Sequence, residues 1–248
     1  MAHRGFSQDG LENSMAAFRA ALGLGYRYLE TDVHTTSDGV VLLFHDSTLD
    51  RVTGTPGRIA DMSSAEVATA RIGGREPVPT LAQLAAAFPD VKLNLDVKDW
   101  NSVKPLARAI EDLNLYDRVL VASFSDRRRR AVQRLLNQRV ASSAGVVTNA
   151  AFVLLGPVLP ARLHRLLMAR LLRNVDALQV PVRQWFVRVV TAGMVRRAHD
   201  AGLQVHVWTI NGPAEMHRLL DLGVDGLVTD RADLLRDVLR ERGAWAGR

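Results

Sequence analysis

Short apolar runs with strand character alternate with helix-period stretches along the whole of this sequence, and that alternation limits the fold more than any motif does. The strand candidates are Tyr28 to Val33, Leu93 to Val97, Val119 to Ser123, Val140 to Ala144, Ala177 to Val180, Gln204 to Trp208 and Gly226 to Thr229. Helical patterns cover Ser14 to Leu22, Leu81 to Ala87, Val103 to Leu113, Asp126 to Leu136, Ala161 to Leu172, Thr191 to Ala201, Pro213 to Leu222 and Ala232 to Arg242. Asn13-Ser14 supplies capping chemistry for the first helix, and Pro213 suits the first turn of a late one. A strand that returns through a helix pairs in parallel with the strand before it. With the stub Ala2-His3-Arg4 the strands number eight, which predicts an α/β fold of TIM (β/α)8 barrel type with a short or truncated first strand.

The length of 248 residues fits one barrel domain over 1–248, with no second domain, repeat or low-complexity tract. The stretch 46–79 is longer than an ordinary strand-to-helix connection and is expected to be a small insertion after the second strand, over the active face. The apolar stretch from Ala150 to Leu172 is interrupted by Pro157 and Pro160 and carries Arg162, His164, Arg165 and Arg170, so it reads as a loop followed by an amphipathic helix. Peripheral membrane contact through 150–172 is the alternative to an outer barrel layer. No uninterrupted apolar run reaches membrane-spanning length, and no secretory signal opens the chain. The expectation is therefore a cytoplasmic protein, although a short first strand also fits a chain that starts further upstream.

The absence of cysteine excludes disulfides, zinc–thiolate sites and cysteine nucleophiles. The net charge of +6 comes mostly from arginine, which favours anionic partners in general. Apart from Arg127-Arg128-Arg129-Arg130, the arginines are dispersed and read as solvated helix faces. No aromatic residues interleave that run to stack bases, so nucleic acid is not an expected partner.

The residues that carry chemistry cluster at expected strand ends. Glu30 and Asp32 are two apart on one strand, so their side chains share a face, and Asp96 and Lys98 do the same on the next strand. Three carboxylates brought together inside a barrel repel one another unless a cation sits among them, and hard oxygen donors select Mg²⁺ or Ca²⁺. His3 lies at the end of the first strand and His45 at the end of the run Val40 to Phe44, and imidazoles titrating near pH 6.5 can serve as a base and an acid. Arg4 offers a planar fork to a phosphoryl oxygen, Lys98 offers a point charge, and Gly5 permits a sharp turn after Arg4. Together these groups suit metal-assisted attack on a phosphodiester. His34, His164, His199, His206 and His217 read as structural, with His34 set apart by its closeness to Asp32.

The series His3-Arg4-Gly5, Glu12-Asn13-Ser14, Glu30-Thr31-Asp32-Val33, Asp38-Gly39, His45-Asp46 and Arg51-Val52-Thr53 resembles the glycerophosphodiester phosphodiesterase family. Pro79-Thr80-Leu81, Ser123-Phe124, Val207-Trp208-Thr209-Ile210-Asn211 and the run from Gly223 to Asp230 extend the resemblance over nearly the whole chain. It implies a TIM barrel that uses one divalent cation, Mg²⁺ or Ca²⁺, to hydrolyse glycerophosphodiesters to sn-glycerol 3-phosphate and an alcohol. It also implies roles: His3 and His45 as the acid–base pair, Glu30, Asp32 and Asp96 as metal ligands, and Arg4 and Lys98 on phosphate. By the same resemblance Glu12 supports the site from behind, and Trp208 packs against the glycerol or alcohol moiety. The sequence departs from the family pattern at Leu11, where the family usually has Pro, and at Asp96, where it usually has Glu.

The expected partner is thus a small-molecule diester. A lysophospholipase D acting at a membrane surface and a non-catalytic phosphate- or lipid-binding barrel are the competing readings. The residues suit attack by water and attack by a substrate hydroxyl equally well, and oligomeric state is not legible.

Overall fold

The computed structural model describes residues 1–156, 158–159 and 161–246. Eight parallel strands form the barrel: β1 (Ala2–His3), β2 (Tyr28–Thr35), β3 (Lys92–Val97), β4 (Val119–Ala122), β5 (Ala141–Ser142), β6 (Ala177–Pro181), β7 (Gln204–Trp208) and β8 (Gly226–Leu227). Ladders join β1 through β5 in order and β6 through β8 in order. Two parallel bridges complete the ring, Ser143 to Ala177 between β5 and β6 and Ala2 to Thr229 between β8 and β1. The first strand is only two residues long, yet His3 N–H donates to Thr229 O at 2.9 Å, so it is held from both sides. Closure leaves no unpaired edge, which is what the strand count predicted.

Helix spans agree with the sequence expectation to within a residue or two. They are α1 (Met15–Gly23), α2 (Leu81–Ala87), α3 (Val103–Asp112), α4 (Asp126–Leu135), α5 (Val146–Leu155), α6 (Ala161–Leu171), α7 (Ala192–Asp200), α8 (Pro213–Asp221) and α9 (Ala232–Glu241). The exception is α5, which the sequence reading treats as loop. It starts at Gly145, where the buried Asp126 carboxylate accepts from the Gly145 and Thr148 N–H groups and so caps a helix that lacks a capping side chain of its own. The interruptions at Pro157 and Pro160 and the side chain of His164 lie outside the described residues. Among the described residues no helix is long and apolar enough to cross a membrane.

Ser14 caps α1 by accepting from Ala17 N–H, while Thr80 with Gln83 forms a capping box on α2. Outward-facing Leu29, Leu93, Leu95, Val97 and Val121 join apolar helix residues in one core cluster. Each such aliphatic side chain contributes about 1.5–3 kcal/mol on burial. A second apolar cluster of Leu42, Phe44, Leu49, Ile59, Val67, Ala70, Ile72 and Val78 fills the insertion after β2. Its short strand Val41–Leu43 runs antiparallel to β2 and delivers His45 toward the C-terminal ends of the barrel strands. The four-arginine run lies at the start of α4, and two of its members are engaged by the protein itself. Arg129 is fully buried and donates to Gln133, Ser142 and Asn174, and Arg128 donates to Ser123 Oγ and the Lys98 carbonyl.

At the barrel's N-terminal end, His206 is buried between Gln179 and Gln204. Burial pushes its pKa down to about 4, from 6.5 in the unfolded chain. The unfolded state takes up the proton first as pH falls. This contribution is therefore complete above pH 6.5 and is lost progressively toward pH 4, by about 2–3 kcal/mol. His206→Gln should lose less melting temperature than the wild type between pH 7 and pH 4.5, a gap of several degrees by calorimetry. Identical pH profiles would sink this assignment.

Candidate active site

The C-terminal ends of β1, β2 and β3 bring together every charged residue expected from the first half of the sequence. The register pairs His3 with Glu30, Glu30 with Asn94, and Asp32 with Asp96. Strand period two then puts Glu30, Asp32 and Asp96 on the inner face, where each is at least nine-tenths buried. Lys98, just past β3, reaches back so that Nζ lies 2.8 Å from Asp32 Oδ1 and 2.6 Å from Asp96 Oδ2. Arg4 Nε lies 3.1 Å from Asp32 Oδ2 as an ion-pair contact without hydrogen-bond alignment.

These neighbours divide the carboxylates. Burial works against an ionised Asp32, but Lys98 and Arg4 outweigh it and hold that carboxyl below its usual range. Around Glu30, burial and the adjacent Asp32 charge outweigh His3 and Lys98, which favour ionisation, and push the carboxyl well above the usual carboxylate range. Asp96 Oδ1 is buried and has no hydrogen-bond partner. Burial opposes the charge on Lys98, and the Asp96 and Asp32 carboxylates more than restore it.

Both expected histidines are clamped by acidic residues through Nδ1, which leaves Nε2 for other work. His3 Nδ1 is 2.6 Å from Asp230 Oδ1, and its Nε2 is 3.8 Å from Glu30 Oε2. Burial opposes a charge on His3, but the Asp230 hydrogen bond and the Glu30 carboxylate raise its pKa above the ordinary value. His45 Nδ1 is 2.6 Å from Asp46 Oδ1. Arg51 donates through Nε to Asp46 and through its terminal nitrogens to Glu12, which also accepts from Arg4 at 3.0 Å. The two imidazoles are therefore joined by one chain of contacts running His3–Glu30–Arg4–Glu12–Arg51–Asp46–His45.

Backbone geometry fixes the start of that chain. Arg4 and Gly5 both take left-handed conformations, with φ of 56° and 85°. A Cβ on Gly5 would sit 2.7 Å from the Ala17 carbonyl carbon, so only glycine lets the first turn lie against α1. On the opposite arc, Trp208 ends β7 and packs edge-to-face on Phe124, with ring centroids 5.6 Å apart. Lys98 Nζ lies 5.7 Å over the Phe124 ring.

Several contributors were not singled out from sequence. Asn13 is expected to cap α1. Instead it is buried, donates to Asp32 Oδ2 at 3.0 Å and accepts from Thr31 Oγ1 at 2.7 Å. His34, set among the structural histidines, links Asp99 through Nδ1 (2.6 Å) to the His45 carbonyl through Nε2 (3.1 Å). Asp230 is held by Asn211 at 2.8 Å. Asn13, Asn211 and Asp230 lie within the motifs quoted from sequence and His34 beside Asp32, but their roles are not legible there because their partners are distant in sequence.

No group of three or more acidic or histidine side chains among the described residues converges closely enough to hold a metal ion. The donor chemistry nevertheless suits a hard divalent cation. Three buried carboxylates lie together, one carries an oxygen without a partner, and Lys98 and Arg4 offset only part of the charge.

The profile of the glycerophosphoryl diester phosphodiesterase family matches residues 3–234. A Mycobacterium tuberculosis protein named probable glycerophosphodiester phosphodiesterase 2 is 46% identical over 248 residues, spanning 100% of this chain and 92% of its own length. The human lysophospholipase D GDPD1 is 26% identical, with 98% of this chain and 87% of its own covered. Among solved structures, a glycerophosphodiester phosphodiesterase from Agrobacterium tumefaciens superposes with a TM-score of 0.76 at 25% identity, covering 96% of this chain and 97% of its own.

Asn13 gives a direct test of the carboxylate clamp. Asn13→Ala strands buried polar partners and should cost about 2 kcal/mol in urea unfolding. Asn13→Asp, nearly isosteric, sets a like charge beside Asp32 and should be worse at pH 8 but converge on Asn13→Ala near pH 4. Equal stability of Asn13→Asp and the wild type at pH 8 would overturn this reading.

Proposed function

The chain belongs to the glycerophosphoryl diester phosphodiesterase family, and from that premise we propose that it hydrolyses glycerophosphodiesters to sn-glycerol 3-phosphate and an alcohol. The observation that carries this reading is the pair of carboxylate-clamped imidazoles joined through Glu30, Arg4, Glu12, Arg51 and Asp46 beside three buried carboxylates.

In this reading one imidazole Nε2 takes the proton of the attacking hydroxyl as its oxygen bonds to phosphorus. The bond from phosphorus to the departing oxygen breaks, and the other imidazole gives that alkoxide a proton. Asp230 and Asp46 fix the tautomers by accepting from Nδ1, and His34 steadies the His45 backbone from Asp99. Each proton-transfer role is worth about 10²–10⁴-fold in rate.

Arg4 and Lys98 meet the phosphoryl oxygens, the first as a fork and the second as a point charge. Glu12 holds Arg4 and Arg51 in place without reaching the substrate. Trp208, braced by Phe124, packs against the glycerol or alcohol moiety. Glu30, Asp32 and Asp96 would hold one divalent cation, Mg²⁺ or Ca²⁺. When bound it supplies Lewis-acid stabilisation of charge on phosphorus. Asp96 is one methylene shorter than the Glu usual in the family, so its orphan Oδ1 is the donor whose reach decides the ion preference.

Phosphorus NMR of glycerophosphocholine turnover tests the reading. The wild type should yield sn-glycerol 3-phosphate, lose activity with a chelator, and regain it with Mg²⁺ or Ca²⁺. His3→Ala and His45→Ala should each fall by about 10²-fold or more while still folding. Unchanged turnover in either variant would reject the acid–base pair, and chelator-resistant turnover would reject the metal.

A further inference from the structure

Exposed large apolar side chains are concentrated on one arc of the barrel mouth. Trp100 follows β3, Phe124 follows β4, Val146 and Val147 follow β5, and Trp185 and Phe186 follow β6. Four consecutive strands thus carry exposed apolar residues past their C-terminal ends, with Phe124 turned toward Trp208 in the mouth. Trp185 and Phe186 are 84% and 88% exposed and form the two-residue tip of a hairpin in which Arg183 pairs with Arg188 and Gln184 with Val187. Trp185 also takes a left-handed backbone conformation, φ 52°, which a bulky residue adopts only at a cost. The hairpin begins two residues after Pro181, whose register partner is Trp208, so its tip projects beside the active site. Further round the same arc, Leu154, Val158, Leu163 and Leu166 are exposed on and between α5 and α6.

Charge follows the same division. Residues 127–199 contain fourteen arginines, no lysine and one acid, Asp176, a net of +13; the whole chain carries +6, which leaves −7 for the rest. Asp176 is engaged with Arg139 and Ser142 below the rim. The Arg183 and Arg188 guanidinium groups form no close ion pair among the described residues; the acid that acts on them is Glu215, which is itself held by Arg218. An aromatic tip with cations on both flanks and aliphatic side chains behind it matches the layered chemistry of a lipid interface: hydrocarbon, glycerol region, anionic headgroup.

We propose that this arc docks the protein on the surface of an anionic phospholipid bilayer, with Trp185 and Phe186 entering the interface and Arg183 and Arg188 among the headgroup phosphates. A second copy is disfavoured, since a twofold contact through this arc would bring two arginine-rich sides together. Nucleic acid is disfavoured because the aromatic tip is backed by aliphatic Val146, Val147, Leu154, Leu163 and Leu166, a surface that suits hydrocarbon and offers a strand no further stacking plane. Docking on this arc would leave the mouth facing the lipid surface, so that a diester released from that surface or still attached to it has a short path inward. The inference rests on the proposed function only for the meaning of that last step, because binding is measured without turnover.

The test is cosedimentation with vesicles of phosphatidylcholine alone or mixed equally with phosphatidylglycerol, together with tryptophan emission. The wild type should pellet with the mixed vesicles, bind pure phosphatidylcholine at least about tenfold more weakly, and shift its emission to the blue. The double variant Trp185→Ser/Phe186→Ser should lose about tenfold or more in affinity and most of the shift. Arg183→Gln/Arg188→Gln should lose binding mainly to the anionic vesicles. Both double variants should cleave soluble glycerophosphocholine at the wild-type rate and melt at the wild-type temperature. Failure of the wild type to bind anionic vesicles, or wild-type binding by both variants, overturns the proposal. So does a dimer that Trp185→Ser/Phe186→Ser converts to monomer, or capture of polyuridine RNA abolished by that variant. Absence of turnover alongside normal vesicle binding would strike the proposed function and leave the docking standing.

Discussion

Negative charge buried at one end of a closed barrel is the constraint around which the active face is arranged. Glu30, Asp32 and Asp96 project inward because strand period two and a fixed register allow nothing else once Leu29, Leu93 and Leu95 face the helices. Two internal cations, Lys98 and Arg4, hold Asp32 ionised, while Glu30 is only partly offset by His3 and one oxygen of Asp96 has no hydrogen-bond partner. A barrel filled only by aliphatic layers would be the more stable solution. Keeping three acids inside is reasonable only where a bound cation or a charged reaction offsets the cost.

The residues around that charge restrict one another's freedom. Glu12 has little meaning alone, yet it fixes the guanidinium of Arg4 on one side and that of Arg51 on the other. Arg51 in turn holds Asp46, which orients His45. On the other flank, Asn211 holds Asp230, which orients His3. Each link gives up side-chain entropy once and serves two neighbours, so the network costs less per contact than isolated pairs would. The insertion after β2 belongs to this arrangement, since it carries Asp46 and Arg51 on its own apolar cluster.

Period and order were legible in the sequence, and long-range partnership was not. The alternation gave the barrel and nearly every helix boundary, because apolar spacing records which face of an element is buried. It also gave the grouping of Glu30, Asp32, Asp96 and Lys98, which needs only the pleat and adjacency of two strands. The helix Val146–Leu155 was missed because its N-terminus is capped by Asp126, twenty residues earlier, and local sequence carries no trace of that contact. The burial of Arg129 is illegible for the same reason: its partners Ser142 and Asn174 come from other elements. His34 and Asn13 stand beside motif residues in sequence, but they act only through the groups to which they are bound.

The two halves of the rim diverge because a (β/α)8 barrel lets each strand end carry its own loop without disturbing the ladder beneath. Loops after β8, β1 and β2 carry Asp230, Arg4, Glu12, Asp46 and Arg51, all locked in mutual ion pairs. Loops after β3 to β6 carry exposed apolar side chains, and the stretch 127–199 holds a single acid, Asp176. Charge on the first half of the rim is mutually satisfied, while the second half presents exposed apolar surface. In a molecule whose interior chemistry is already anionic, a cationic apolar arc beside the mouth also keeps negative surface potential from repelling an anionic diester on approach.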